Sequence, residues 1–170
     1  MTSASDVSGG PNGIEADYLR GESAKRAQSL AWWAAIAGFL PFGVLALLLL
    51  VTGKESAFYS TAADALKTYA AIILSFLGGI RWGSALRLTN SDRAAQIYIL
   101  SVIGPLIGWV ALFISEPVSF GLMALAFAVH GAWDSFSGTR AELPSWFVRL
   151  RMILTALVVS ALSLAFIATA

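Results

Sequence analysis

The sequence predicts an all-α, polytopic membrane helix bundle with five transmembrane helices, and three observations carry the prediction. Of 170 residues, 58% are hydrophobic and only 12% charged, about half the charge of an ordinary soluble domain, which carries ~25%. The mean hydropathy is +0.76. The apolar residues gather into windows at 30–52, 66–86, 94–115, 117–133 and 152–170, each reaching or approaching the ~20 residues a membrane helix needs. The connections "RLTNSDR" and "SEPV" are too short to reach past a neighbouring span, so spans two, three and four lie side by side and antiparallel. Residues 29–170 form the membrane domain, and 1–28 a polar, largely disordered tail.

In that tail the first twelve residues, rich in Ser, Gly and Asp, have little to pack. The charged, apolar and small-residue regions of a secretory signal are not laid out there, and residues 13–29 turn helical as they approach the membrane. After the first span, the 53–65 loop holds Thr61-Ala-Ala-Asp64, a capping-box spacing that would start the second span or a short helix before it. Span two carries Ser75, Gly79 and Gly83, and span three carries Gly104 and Gly108 around Pro105, where a kink is expected. Lipid offers helices no hydrophobic incentive to associate, so close packing through small residues holds them together. Ala124, Ala128 and Ala132 continue this pattern in span four. These positions serve either packing within one subunit or a dimer face. Past the turn at "SGT", Pro144 suits a helix's first turn, so the fifth helix starts near Ser145 and Trp146 sits at the interface. Trp32 and Trp33 mark the interface of span one.

Basic residues set the orientation. Arg20, Lys25, Arg26, Arg87, Arg93, Arg140, Arg149 and Arg151 fall on one set of flanks, and only Lys54 and Lys67 on the other. The N-terminus is expected in the cytoplasm and the C-terminus outside.

That topology draws a polar cluster together. Arg81 lies about 9 Å short of Arg87 along the second helix. The fourth span, running in the same direction, ends with His130, Trp133 and Asp134, and the fifth begins with Arg149 and Arg151. An aspartate at a helix C-terminus faces the negative end of the macrodipole and wants a cation; Arg81, Arg140, Arg149 and Arg151 are the candidates. An arginine deep in a bilayer costs on the order of 3 kcal/mol unless it snorkels or pairs. An Arg81–Asp134 pair would relieve both and turn Arg81 toward the bundle, although Arg81 stands about 200° round the helix from Gly79. Trp82 and Trp133 adjoin the cluster and are placed either to stack on an arginine or to line a ligand site.

With no cysteine, disulfides, thiolate metal sites and a cysteine nucleophile are excluded. A single histidine leaves no multi-histidine metal site, and no cofactor is implied. No Walker loop, G-x-S-x-G or HExxH is present, so an enzyme is not expected. The net charge of +1, with cations scattered among loops, argues against nucleic acid as a partner.

At "AAIILSFLGGIRWGSAL" and "LPSWFVRLRMILTAL" the chain resembles DUF3429, a family of membrane proteins of unknown function whose eukaryotic relatives are the mitochondrial proteins called transmembrane protein 69. Gly78, Gly79, Arg81, Trp82 and Gly83 carry the first likeness; Leu143, Pro144, Trp146, Leu150 and Arg151 carry the second. The resemblance covers about residues 29–170 and implies an integral protein of a bacterial inner membrane, without transferring a reaction. A looser similarity, through "WFVRLR", is to the tryptophan-rich sensory and translocator protein group, whose downstream prolines and further tryptophan are missing here.

Two functional expectations follow. In the first, the chain is an accessory or assembly-type membrane protein whose Arg81, Arg149, Arg151 and tryptophans meet other membrane proteins or anionic lipid. In the second, it binds or carries a lipid or small hydrophobic ligand, with Trp82, His130 and Trp133 lining the pocket and Arg81 or Arg151 meeting an anionic group.

Overall fold

The computed structural model describes the backbone of residues 11–139 and 144–170, with side chains described over 19–136 and 144–170. Five helices follow one another: α1 (Pro11–Thr52), α2 (Tyr59–Ala85), α3 (Ser91–Ala111), α4 (Val118–Thr139) and α5 (Ser145–Thr169). No strand occurs among the described residues. Residues up to Gly38 form one unit and Phe39–Ala170 another.

In the first unit, α1 is helical from Pro11, two residues before the part of the expected polar tail, 13–29, that is read as turning helical. The stretch is rich in Ala, Glu, Arg, Lys and Gln, which favour helix, and Glu22 and Arg26 face each other one turn apart at 3.9 Å. Residues 1–10, the rest of that expected tail, lie outside the described residues.

The second unit is built around three buried stripes. On α2 the buried positions include Ala63, Lys67, Ala70, Leu74, Leu77, Arg81 and Ala85, three or four residues apart as a single helix face requires. On α4 they are Phe120, Met123, Phe127, His130 and Asp134; on α5, Arg151, Val158, Leu162, Ala165 and Thr169. Phe42 of α1 meets Tyr69 and Phe127 edge-on, with ring centroids 5.1 and 5.7 Å apart. Each stripe is apolar along most of its length and carries an ionisable residue at or near one end, Arg81 on α2, Asp134 on α4 and Arg151 on α5. The helix directions alternate, so those three ends coincide.

Glycine brings the backbones together, but not at every expected position. A Cβ on Gly78 would collide with the Ser101 carbonyl oxygen and stand 2.9 Å from Pro105 Cγ, and one on Gly108 would stand 3.1 Å from Ala71 Cα. Gly104 lies between α2 and α4, a Cβ there standing 3.6 Å from His130 Nδ1 and 4.0 Å from the Leu74 carbonyl. By contrast, nothing lies within 4 Å of a Cβ on Gly79 or Gly83, and Ser75 is exposed with them. Among the described residues, the expected Ser75–Gly79–Gly83 face therefore packs against nothing. Arg81 explains why: a helix packed on one side cannot bury both Arg81 and a glycine about 200° away from it. The bundle takes Arg81, and Gly78, only about 60° from it, makes the close approach. On α4 the tight contact is Gly131 against Thr155, where a Cβ would stand 2.5 Å from Thr155 Oγ1, whereas Ala132 of the expected alanine stripe is exposed.

Two further expectations change at helix ends. Because α2 begins at Tyr59, Thr61 lies inside the helix and caps nothing; the N-cap position is Phe58, without a side-chain bond. Asn90 caps α3, its Oδ1 accepting from the Arg93 amide at 2.9 Å. α5 starts at Ser145 behind Pro144, where the sequence puts it.

Among the described residues, four helices are long and apolar enough to cross a membrane: Leu19–Thr52 within α1, α2, α3 and α5. α4 does not join them, although a span at 117–133 is expected. Its final turns carry His130, Trp133, Asp134 and Ser135, and these dilute the apolar run that starts at Val118.

Candidate functional site

Arg81 is the largest fully buried side chain among the described residues, 1% exposed. Its Nε donates to Asp134 Oδ1 at 2.7 Å. Its Nη2 is in ionic contact with the same oxygen yet has no aligned hydrogen-bond acceptor. The guanidinium also lies over the Trp133 ring, 4.5 Å from the centroid, where the negative face of the indole attracts a cation. From α5, Arg151 Nε donates to the other carboxylate oxygen, Asp134 Oδ2, at 2.7 Å. One aspartate, 4% exposed, thus holds two arginines that are 1% and 8% exposed, and through them α4 is tied to α2 and α5.

His130 stands one turn before Asp134 on the same face of α4. It lies against the backbone of Leu77 on α2, and its ring meets Trp133 edge-on at 5.4 Å. With Leu77 and Arg81 one turn apart on α2, and His130 and Asp134 one turn apart on α4, two rungs join the same helix pair. The four-residue spacing on both stripes makes this possible.

The structure gathers Arg81, His130, Trp133, Asp134 and Arg151 and leaves three expected site residues out. Trp82 stacks at a tilt on Tyr98, 4.8 Å between centroids, and is 47% exposed; one residue on from Arg81 it points off the buried stripe. Trp146 pairs with Phe147 at 5.9 Å in the first turn of α5. Arg149 is exposed, since two residues before Arg151 means the far side of the helix. Arg140, another candidate cation for Asp134, lies outside the described residues. Among the described residues, no three His, Asp or Glu side chains are placed to hold a metal ion.

A second ionic group was not anticipated. Lys67, 8% exposed, contacts Glu116 Oε1 at 2.5 Å and Asp64 Oδ1 at 3.2 Å. Beside it is a cavity of about 370 Å³, whose walls include Tyr59, Ser60, Phe113 and Ser115. Reading Lys67 only as a flank charge missed it. The available signal was that Lys67 shares a face with Ala63, Ala70 and Leu74, and a lysine within an apolar stripe demands a nearby acid.

The comparisons with known proteins bear on the whole of this unit. Residues 27–167 match a family described as a protein of unknown function, DUF3429. The chain belongs to the DUF3429 family. The matched stretch contains both ionic groups and all but the start of α1. Curated relatives named transmembrane protein 69 are 36% identical over 155 residues in Xenopus tropicalis and 29% identical over 126 residues in Mus musculus. The alignments cover 87% and 74% of this chain but only 58% and 50% of those relatives, so the DUF3429 chain spans about half the length of the curated proteins it matches. No solved structure matches it. The relatives' name and the apolar helices agree on a multi-pass membrane protein.

Proposed function

We propose that this DUF3429 chain is a five-span accessory or assembly-type protein of a bacterial inner membrane, without catalysis of its own, that presents the end bearing the arginine–aspartate triad to its partners. The observation that carries the reading is the closed triad itself. Its polar groups join three helices, and the first use of its chemistry is to hold the bundle together. Around the same end, Arg87 and Arg149 are exposed, free of the triad and available to meet another surface. α4 counts as the fifth span in this reading because its polar residues are spent on the triad, as intramembrane ionisable groups facing a bundle interior are.

The basic end is the cytoplasmic one in this reading. Among the described residues of 39–170 it holds Arg81, Arg87, Arg93, Arg149 and Arg151 with Asp92 and Asp134, whereas the opposite end holds Lys54 and Lys67 with Glu55, Asp64 and Glu116. The positive-inside rule then sets the N-terminus in the cytoplasm and the C-terminus outside. The ligand-carrier reading required Trp82, His130 and Trp133 around one cavity, and Trp82 is on Tyr98 instead.

Two measurements test the proposal. A reporter active only outside the cytoplasm, fused after Ala170, is expected to be active, and the same reporter in the α4–α5 loop inactive; the reverse pattern refutes the topology. Photo-crosslinking residues placed at Arg87 and Arg149 in the native host are expected to give a discrete protein adduct that Phe113, at the other end, does not. Equal labelling at both ends, or none, contradicts the accessory role.

A further inference from the structure

The triad is not neutral. Among the described residues Asp134 is the only buried carboxylate, and it serves two buried arginines; His130 cannot supply a negative charge. Among the described residues one positive charge is left over in a low-dielectric interior, where an uncompensated ion is costly. The hydrogen bonds leave the same remainder. Each arginine spends its Nε on one Asp134 oxygen; Arg81 Nη2 is in ionic contact with Asp134 Oδ1 as well, whereas Arg151 Nη2 is buried without an acceptor.

We infer that the triad binds one phosphate group, whose negative charge balances the excess and whose oxygens accept from Arg151 Nη2, buried without an acceptor. The inference rests on the membrane-protein reading above and identifies the chemistry its basic end recognises. A guanidinium matches phosphate geometry well, because its planar donors reach more than one oxygen at once. Depth agrees: Arg81, Asp134 and Arg151 lie only about 6, 7.5 and 9 Å from the ends of their helices, at 1.5 Å per residue. That is within reach of the headgroup layer, which adds roughly 5–8 Å on each side of the hydrocarbon core. The exposed Arg87 and Arg149 make the approach attractive to an anion. Two sources share this chemistry, the headgroup of an anionic phospholipid and free inorganic phosphate.

The test uses the full-length protein in mild detergent, with native mass spectrometry after incubation with equal amounts of phosphatidylglycerol and phosphatidylcholine. Wild type is expected to retain phosphatidylglycerol at least tenfold over phosphatidylcholine. Arg151→Met, which leaves Arg81 and Asp134 as a neutral pair, is expected to lose that preference. Arg87→Ala/Arg149→Ala keeps it, since those residues only steer. Competition with millimolar inorganic phosphate separates the sources: displacement of the lipid indicates a site open to free phosphate, and no displacement a headgroup site. Equal retention of the two lipids by wild type overturns the inference, as does a preference that survives Arg151→Met but disappears in the Arg87/Arg149 variant. Should Arg151→Met fail to accumulate, the wild-type comparison still decides, with Arg151→Lys expected to keep the preference in weakened form. Loss of the lipid preference with crosslinking at Arg87 and Arg149 intact removes the phosphate and leaves the accessory role standing.

Discussion

Lys67 and Arg81 stand on one face of α2, fourteen residues or about 21 Å apart, and the helix treats them in opposite ways. Lys67 has two carboxylates, Asp64 and Glu116, beside an open cavity of about 370 Å³. Arg81 has half of one, shared with Arg151 in a site where all three residues are buried. Acid is in excess at one end and base at the other. Asp64 has 73% of its side chain exposed, so solvent and headgroups can relieve an imbalance at the lysine end. The triad, with all three residues buried, can draw such relief only from an anion admitted at its helix ends. The difference teaches that membrane depth and burial, rather than the number of ion pairs, decide which cluster the fold depends on.

Removing the shared carboxylate should separate the two regions most sharply. Asp134→Leu leaves two buried arginines facing each other, and breaking a buried pair costs about 3–5 kcal/mol; thermal unfolding in detergent should show a larger drop for it than for any change at the lysine end or along the stripe between. That stripe comes next. Gly78→Ala places a methyl against the Ser101 backbone carbonyl, and overpacking of this kind costs roughly 1–3 kcal/mol, whereas Gly79→Ala should leave the midpoint unchanged because nothing lies within 4 Å of it. Equal effects of the two alanines would show that α2 presents a different face. Lys67→Met should cost less again, about 1 kcal/mol, as expected of a partly solvated ion pair. A loss as large as that of Asp134→Leu would erase the distinction between the two ends.

Much of this arrangement was legible from spacing. Helix order, the start of α5 at Ser145 and the Arg81–Asp134 pair follow from alternating directions, a proline at a helix start and an aspartate at the wrong end of a dipole. Arg151 is among the candidate cations for Asp134, but that it, rather than Arg149, shares the carboxylate with Arg81 was not legible, because the sequence pattern of α5 alone does not set its rotation against α4, where Gly131 meets Thr155. Gly79 and Gly83 misled because a common motif was read without asking whether Arg81, on the opposite side, could be buried at the same time. Lys67 was passed over because a lysine near a helix start resembles a flank charge; only the apolar company of Ala63, Ala70 and Leu74 marks it as part of the buried face. α4 stayed ambiguous for a related reason, since the residues that build the triad are the ones that weaken its membrane signal.

The central claim is that Asp134 exists to offset part of the charge of Arg81 and Arg151, so that lowering the buried charge, and not the aspartate itself, stabilises the bundle. The most direct measurement compares unfolding midpoints in detergent for Asp134→Leu alone and for Arg81→Met/Asp134→Leu/Arg151→Met. If charge balance governs, the triple variant recovers most of what the single variant loses, because an apolar set of similar volume leaves no buried charge uncompensated. A triple variant no more stable than Asp134→Leu would contradict the claim.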